Sequence, residues 1–138
     1  MEPRHFSPRI YGVLRDGDRV LLTRSRFRAR EFVNFPGGGV ELGEAPLEAL
    51  RREMAEETGL LVRPTRVLYA SEGLHLSTQM PIQIVSIYWL VELSGGALRD
   101  GGNGDDVLSL FWAQKDRIPT QEMFPSDREF AQRLPALL

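Results

Sequence analysis

Short apolar runs alternate along this chain with polar and glycine-rich segments, a pattern typical of strands joined by turns. The runs at residues 10–14 and 20–23 flank Asp16-Gly17, a dipeptide that favours a tight hairpin turn. We therefore expect these two runs to pair as antiparallel strands. Further strands are predicted where β-branched and aromatic residues concentrate, at residues 67–70, 82–93 and 107–113.

A helix is predicted between these strands, at residues 46–58. Pro46 suits the first helical turn, where its missing N–H is not needed, and Gly59 suits the left-handed position just past the end. At about 100° per residue, three apolar side chains share one face: Leu47, Leu50 and Met54. A neighbouring stripe of the same helix is acidic and consists of Glu53, Glu56 and Glu57.

The C-terminal segment predicts a second helix. Residues 126–129 have the form of a capping box, Phe130 and Leu134 then share one face, and Pro135 indicates an early end. Strands on either side of a central helix, with a closing helix, indicate an α/β fold in which a mixed sheet packs between helices. The length of 138 residues suits a single domain spanning residues 1–138.

The acidic stripe has an unfavourable arrangement for an isolated helix. Like charges three and four residues apart repel, and Glu56 and Glu57 lie in the last turn, where the helix dipole disfavours anions. A divalent cation would reverse both effects, because carboxylates with open positions for phosphate oxygens are what Mg²⁺ or Mn²⁺ binds. The alternative is a solvated acidic face balanced by Arg51 and Arg52.

A longer pattern surrounds this stripe. It reads Gly38, five residues, Glu44, seven residues, then Arg52-Glu53-Met54-Ala55-Glu56-Glu57-Thr58-Gly59-Leu60. The spacing matches every fixed position of the Nudix box, and the chain therefore resembles a Nudix hydrolase of the MutT-like type. The resemblance implies an α/β/α sandwich with a central mixed β-sheet. It also implies a metal-dependent enzyme that hydrolyses a phosphoanhydride bond in a nucleoside diphosphate linked to another group.

The same resemblance implies roles for individual residues. Mg²⁺, with Mn²⁺ as the alternative, is implied to be held by the Gly38 carbonyl oxygen, Glu53, Glu56 and Glu57. Arg52 is implied to orient a glutamate through a charge-assisted hydrogen bond, and Glu44 to tether the loop at the helix start. Glu41 is an outer candidate. The general base stays open between Glu57, Glu53 and a downstream aspartate, Asp105 or Asp106.

Four arginines follow the second predicted strand: Arg24, Arg26, Arg28 and Arg30. Alternation places all of them on one side if the segment is extended. They then form either a solvated loop or a phosphate clamp that faces the acidic helix. In residues 74–79, apolar and polar side chains alternate, which predicts partial strand pairing and leaves His75 either as a structural residue or as a substrate contact.

Residues 94–106 form a segment rich in glycine and aspartate. It lacks the lysine of a P-loop and the spacing of an EF-hand, so one interpretation is a flexible hairpin connection. The other is that Asp105 or Asp106 reaches the metal or the attacking water, as late-loop acidic residues do in many Nudix enzymes.

Composition limits the remaining possibilities. The chain has no cysteine, which excludes disulfides and thiolate metal sites, and its net charge of −2 gives no reason to expect nonspecific nucleic-acid binding. Neither a signal peptide nor a membrane-spanning run is evident, so we expect a cytoplasmic protein. Relatives of this type are often homodimers, which nothing in the sequence confirms.

The substrate is less well defined than the reaction. The region after the box shows neither the ADP-ribose nor the dinucleoside-polyphosphate mark of the family, so a nucleoside triphosphate or a nucleotide sugar is the preferred substrate. Two alternatives are a catalytically silent nucleotide-binding module and a pyrophosphohydrolase acting on the 5′ end of RNA. The intact carboxylate set argues against the first, and the absence of a broad basic surface argues against the second.

Overall fold

A computed structural model describes residues 2–138, which form eight strands, two α-helices and a short 3-10 turn at Thr120–Glu122. The strands are β1 His5–Asp16, β2 Arg19–Phe27, β3 Arg30–Asn34, β4 Gly37–Gly39, β5 Leu60–Ala70, β6 His75–Leu76, β7 Ile82–Gly96 and β8 Val107–Gln114. The helices are α1 Pro46–Thr58 and α2 Pro125–Leu137. None of the helices in this part of the chain is long and apolar enough to cross a bilayer.

The main path of the sheet runs β3-β2-β1-β7-β5, with β1 and β7 parallel and the other pairs antiparallel. Strand β4 pairs with β1, β6 with β7, and β8 with β2. The sheet is therefore mixed, and together with the two helices this confirms the predicted fold class. The predicted hairpin is also confirmed, with Arg15 opposite Val20 and Gly17 at a φ of 61°.

Side-chain alternation in the central strands divides the core into two layers. The layer under α1 includes Ile10, Leu21, Leu50, Met54 and Val91. The layer under α2 includes Val13, Leu22, Tyr88, Phe130 and Leu134. In the second layer the rings of Tyr88 and Phe130 stack with their centroids 4.0 Å apart. Each helix thus covers one face of the sheet, as the predicted apolar stripes require.

Helix α1 has the predicted bounds. Gly59 has a φ of 80° and donates its N–H to the Ala55 carbonyl at 3.0 Å, which closes the helix as a left-handed C-cap. The helix ends at this point because a residue with a Cβ adopts that conformation only at an energetic cost.

Helix α2 differs from the prediction at both ends. The N-cap residue is Phe124, not Ser126, and no side chain caps the helix. Ser126 and Asp127 lie inside the first turn and are buried against the sheet. Pro135 does not stop the helix, which continues to Leu137. The predicted loop at residues 94–106 also begins later, because β7 extends to Gly96.

Candidate active site

Strand β4 is a run of glycines that precedes α1, the helix that carries the glutamates of the box and is called the box helix below. In the described chain, β4 pairs with β1. Two backbone hydrogen bonds flank the pairing: Gly12 N–H to the Pro36 carbonyl at 2.8 Å and Val40 N–H to the Pro8 carbonyl at 2.9 Å. The alternation of an antiparallel ladder then directs the backbone of Gly38 towards Ile10 of β1. It directs the backbone groups of Gly37 and Gly39 towards the free edge.

Side chains of α1 bind the backbone groups at this free edge, as the register requires. Gly37 donates its N–H to Glu57 Oε1 at 2.9 Å, and the Gly39 carbonyl accepts a hydrogen bond from Arg52 at 3.3 Å. The register disfavours the predicted metal-binding role of the Gly38 carbonyl, because this oxygen faces β1. It favours the carbonyl of Gly37, which lies on the edge beside the acidic side chains.

Gly38 has a different role, which is steric. A Cβ added to Gly38 would lie 2.8 Å from the carboxyl carbon and from Oε1 of Glu53. Only glycine allows this carboxylate to approach the strand so closely. The glycine loop therefore positions Glu53 by the absence of a side chain.

Arg52 links the carboxylates at the start of the site. Its Nε and Nη2 donate to the two carboxylate oxygens of Glu44 at 2.7 and 2.9 Å, and Nη1 donates to Glu53 at 3.0 Å. A weaker contact reaches Glu56 at 3.4 Å. The bidentate pair lowers the pKa of Glu44, chiefly through the hydrogen bond from Arg52. Glu44 also accepts the N–H of Glu41 at 3.1 Å, which connects the loop before α1 to Arg52.

Glu57 is the most buried carboxylate of the box, with 5% of its surface exposed. Burial raises the pKa of Glu57 to about 8, the Gly37 N–H opposes this rise, and the charges of Glu53 and Asp106 add to it. Burial also raises the pKa of Glu53, against the lowering influence of Arg52. A buried carboxylate beside other carboxylates is electrostatically costly in the absence of a cation.

Downstream residues join this acidic cleft. The residues that line it are Glu53, Ala55, Glu56, Glu57, Arg99, Asn103, Asp105 and Asp106. Asn103 donates to Asp106 at 2.9 Å, while Arg99 donates to the Ala55 and Glu56 carbonyls at 2.6 and 2.8 Å and so caps α1. The late loop is therefore attached to the end of the box helix. It brings both predicted aspartates to the cleft.

The donors of the cleft fit a divalent cation in chemistry. They are hard carboxylate oxygens with one adjacent backbone carbonyl, the ligand type that Mg²⁺ and Mn²⁺ prefer. Within residues 2–138, no three acidic or histidine side chains already surround one point. Two of the carboxylates have protein partners, since Arg52 donates to Glu53 and the Gly37 N–H donates to Glu57.

A second cavity, of about 420 Å³, lies between the sheet and the start of α2. Its aromatic lining consists of Tyr11, Phe27, Phe32 and Phe124, and its buried polar lining includes Ser25, Asn34, Ser86, Ser126 and Asp127. Asp106 lines this cavity and also the acidic cleft, so the two spaces meet at this residue.

The floor of the cavity is a buried polar network. Tyr88 donates its O–H to Asp127 at 2.5 Å, and Ser126 donates to Ser86 at 3.0 Å. Burial raises the pKa of Asp127 to about 6, although the hydrogen bond from Tyr88 opposes this. Ser126 and Asp127 thus face the sheet and the cavity, which explains why they do not cap the helix.

The arginine segment does not form a single row. Strand β2 ends at Phe27 and Arg28 has a left-handed φ of 59°, so the four side chains diverge. Two of them form ion pairs, Arg24 with Glu122 at 2.9 Å and Arg26 with Glu31 at 3.3 Å. The other two lie over aromatic rings, Arg28 over Phe27 and Arg30 over Phe124. Arg24 points to the α2 side, away from the acidic helix, whereas Arg26 lines the cavity.

His75 also lines the cavity, and Glu129 of α2 holds it in place. The His75 Nε2 and the Glu129 carboxylate are 3.0 Å apart. The same carboxylate accepts hydrogen bonds from Tyr69 at 2.7 Å, from Glu72 N–H at 2.9 Å and from Gly73 N–H at 3.1 Å. His75 therefore has a structural partner, Glu129. Its contact with a substrate stays a prediction, supported by its place in the cavity lining.

Sequence reasoning missed three groups that the structure places at the site: Arg9, Asn34 and Asp127. Arg9 interrupts the start of an apolar strand, and Asn34 interrupts the apolar residues before the glycine loop, which are the signals that could have marked them. Asp127 gave a misleading signal, because its spacing also fits a helix cap.

Comparison with known proteins identifies the group to which this arrangement belongs. The 8-oxo-dGTP diphosphatase of Haemophilus influenzae is 26% identical over 132 residues, which cover 89% of this chain and 87% of that protein. An RNA pyrophosphohydrolase of Xanthomonas campestris pv. campestris is 38% identical over 73 residues, but these cover 53% of this chain and only 35% of that protein.

The fold has close structural counterparts. The crystal structure of a MutT NUDIX hydrolase from Burkholderia pseudomallei superposes with a TM-score of 0.75 at 22% identity, covering 94% of this chain and 97% of that one. A model of the NUDIX domain matches residues 3–134. This match, which includes the box and both walls of the cleft, shows that the chain belongs to the NUDIX domain family.

Proposed function

We propose that this chain hydrolyses a phosphoanhydride bond in a nucleoside diphosphate linked to another group, and that its substrate is a nucleoside triphosphate or a nucleotide sugar. The observation that carries the proposal is the junction at Asp106. An aromatic-lined cavity and an acidic cleft meet there, so a nucleoside in the first would place its phosphates in the second.

The cavity has the properties of a nucleoside site. Its volume of about 420 Å³ falls in the range of small-molecule pockets, which runs from about 300 to 1,000 Å³. Aromatic rings offer stacking surfaces for a base, and Asn34 and Asp127 offer polar groups for its edge. The likeness to an 8-oxo-dGTP diphosphatase over most of both chains supports a triphosphate.

The acidic cleft has the properties of a phosphoryl-transfer site. A divalent cation bound there, Mg²⁺ or Mn²⁺, would neutralise charge on phosphate oxygens and lower the pKa of water. The residues that would hold it are Glu53, Glu56, Glu57 and the Gly37 carbonyl. Arg52 fixes the orientation of Glu53, and Glu44 fixes the orientation of Arg52. Catalysis then depends on positioning and on charge, as in other phosphoryl transfers.

The candidates for the general base differ in their surroundings. Glu53 is held by Arg52, and Glu57 is buried and bound by Gly37, so neither carboxylate is free to turn towards a water molecule. Asp106 is exposed and lies where the cavity meets the cleft, and its carboxylate accepts one hydrogen bond, from Asn103. These surroundings favour Asp106 as the group that accepts the proton of the attacking water.

The 5′ end of RNA is a second candidate substrate, supported by the likeness to an RNA pyrophosphohydrolase over 73 residues. Several cations that would hold an RNA strand already have partners, since Arg24 pairs with Glu122 and Arg26 with Glu31. RNA binding that weakens steeply with salt would favour this substrate, and no binding at low salt would remove it.

The proposal is tested by hydrolysis across a nucleotide panel with Mg²⁺, using the wild type and Glu56→Gln. The panel contains nucleoside triphosphates and their oxidised forms, nucleotide sugars, ADP-ribose, dinucleoside polyphosphates and 5′-triphosphorylated RNA. We expect metal-dependent cleavage of at least one compound, reduced at least about tenfold in the mutant, which is about 1.4 kcal/mol of barrier. Binding without turnover of any compound would instead indicate a nucleotide-binding module.

A further inference from the structure

Arg9 is a half-buried cation on the wall of the nucleoside cavity. Its Nε donates to the Tyr11 hydroxyl at 2.7 Å and its guanidinium lies 5.8 Å from the centre of the same ring, while within residues 2–138 its terminal nitrogens make no ion pair or further hydrogen bond. The other arginine of the cavity, Arg26, pairs with Glu31. These terminal nitrogens are not fully buried, and the nearby charges of Asp127 and Glu53 favour the charged guanidinium, so it is in place to bind an anion that enters the cavity.

The surroundings of Arg9 show where such a ligand would lie. Arg9 is opposite Gly39 in the pairing of β1 with β4, and a Cβ added to Gly39 would lie 3.9 Å from Arg9 Nη1. The end of the guanidinium therefore lies beside bare backbone at the edge of β4. The next residue along this edge, Gly38, faces the other side of the strand and contacts Glu53. Arg9 and Glu53 therefore flank one free edge from opposite faces.

The other arginines of the site are already engaged. Arg52 is bound by Glu44 and Glu53, and Arg99 is bound by the carbonyls at the end of α1. The cleft itself is lined by carboxylates, which repel a phosphate chain when no cation is present. Among residues 2–138, Arg9 lines the cavity beside the edge of β4 and forms no ion pair, whereas Arg26 and Arg52 are ion-paired and Arg99 donates to the end of α1.

We propose that Arg9 binds the phosphate group attached directly to the nucleoside, as the nucleotide passes from the cavity over the β4 edge into the acidic cleft. A guanidinium matches two phosphate oxygens with parallel hydrogen bonds, and its charge does not depend on pH in the working range. The proposal deepens the proposed function and takes its substrate class from it. Its direct consequence is that a nucleoside monophosphate binds without any divalent cation.

The test is equilibrium binding by calorimetry in EDTA. The ligands are AMP, GMP, CMP and UMP, each compared with the corresponding nucleoside, and the proteins are the wild type, Arg9→Met and Arg9→Lys. For the monophosphate that binds best, we expect the wild type to prefer it over its nucleoside at least about tenfold. Arg9→Met reduces this preference to near unity and leaves the affinity for the nucleoside unchanged, while Arg9→Lys retains part of it.

Arg15→Met is the matched control. Arg15 lies on the same strand, is exposed and is outside the cavity, so its replacement removes the same charge from the protein and preserves the preference. Circular dichroism and thermal unfolding establish that each variant is folded. Three results would overturn the proposal: no monophosphate bound by the wild type, an unchanged preference in Arg9→Met, or an equal loss of nucleoside and monophosphate affinity.

The binding assay contains no metal and no turnover, which separates this inference from the proposed function. If Arg9 controls monophosphate affinity but no compound of the panel is hydrolysed, the enzyme proposal fails alone. If hydrolysis is observed and Arg9→Met binds monophosphate like the wild type, the inference about Arg9 fails alone.

Discussion

Gly37 donates its backbone N–H to the carboxylate of Glu57 at 2.9 Å, across 20 residues of sequence. This bond joins the free edge of the glycine strand to the last turn of the box helix, and it fixes the most buried carboxylate of the cleft. Because the same edge carries the Gly37 carbonyl, one contact aligns two of the candidate metal donors. The arrangement of these candidate metal donors thus depends on a strand register as much as on the acidic residues.

Glu57→Gln should stabilise the metal-free protein and weaken its stabilisation by Mg²⁺. The glutamine oxygen can still accept the Gly37 N–H. Because burial raises the pKa of Glu57 to about 8, this carboxyl costs stability at every pH above its ordinary value of 4.5, and a neutral glutamine should raise the melting temperature at pH 7 in EDTA. Mg²⁺ at about 100 times its dissociation constant should stabilise the wild type by about 2.7 kcal/mol and the variant by much less. Thermal unfolding with and without Mg²⁺ measures both effects, and equal metal responses would exclude Glu57 as a ligand.

Gly38→Ala should impair activity more than stability. The added Cβ meets the movable end of Glu53 at 2.8 Å, so the carboxylate shifts while the fold accommodates the change. We expect kcat/KM to fall at least about tenfold and the free energy of unfolding to change by less than about 1 kcal/mol.

Gly37→Ala provides the contrast. Its Cβ would lie 2.2 Å from the Ile10 carbonyl oxygen and 2.6 Å from Tyr11 Cα, backbone atoms that cannot move away, at a φ of 151°. The free energy of unfolding should fall by more than about 3 kcal/mol. Equal stability of the two variants in urea unfolding would contradict the steric distinction between these glycines.

Arg52→Lys should lower activity although it keeps the charge. A lysine cannot form the bidentate pair with Glu44 and contact Glu53 at the same time. We expect kcat to fall about tenfold or more while substrate binding in the cavity is unchanged. Arg51→Lys is the control, because Arg51 is its exposed neighbour outside the cleft. A similar loss in both variants would show that the helix, not the Glu44 pair, is affected.

Glu129→Gln should destabilise the protein in a pH-dependent way. Burial alone would raise the pKa of Glu129, but hydrogen bonds from Glu72, Tyr69, His75 and Gly73 outweigh it and lower the pKa to about 2. A lowered carboxylate pKa contributes stability that is complete above the unfolded value of 4.5 and is lost as pH falls towards 2.

The expected difference between wild type and Glu129→Gln at pH 7 is about 1 to 2 kcal/mol, since partial exposure screens the interaction. Urea unfolding between pH 7 and pH 2.5 should show this difference shrinking below about pH 4.5. A constant difference would contradict the role of the charged carboxylate. Glu72→Gln is the control, because its side chain forms an exposed pair with Arg133 and its backbone N–H is unchanged.

Asp106→Asn tests the assignment of the general base. Loss of the base should lower kcat by about a hundredfold or more and leave the Mg²⁺ concentration for half-maximal rate unchanged. Replacement of a metal ligand, by contrast, should raise the Mg²⁺ concentration that gives the half-maximal rate. Asp105→Asn is the matched control on the same loop, and a loss confined to Asp105→Asn would move the assignment to that residue.

The box helix and its acidic stripe could be predicted because their signals are local. Pro46 and Gly59 mark the two ends of α1 within the helix itself, and the spacing of the glutamates places them on one face. The arrival of Asp105 and Asp106 at the cleft was also predictable as one of two alternatives. These features depend on residues close in sequence or on a family pattern that spans one segment.

Other features depended on contacts between distant segments. The pairing of β1 with β4 decided that Gly37 and Gly39 face the free edge while Gly38 faces Glu53, and a register of this kind is not encoded within either strand. Asp127 became a buried cavity residue because Tyr88, 39 residues away, donates a hydrogen bond to it. Arg9 lies beside the edge of β4 because the pairing of β1 with β4 places it opposite Gly39. The sequence by itself determined the helix, its carboxylates and the family. Only the tertiary structure decided which backbone groups, and which arginine, lie beside those carboxylates. The reason is that strand pairing and burial bring together residues that no local rule connects.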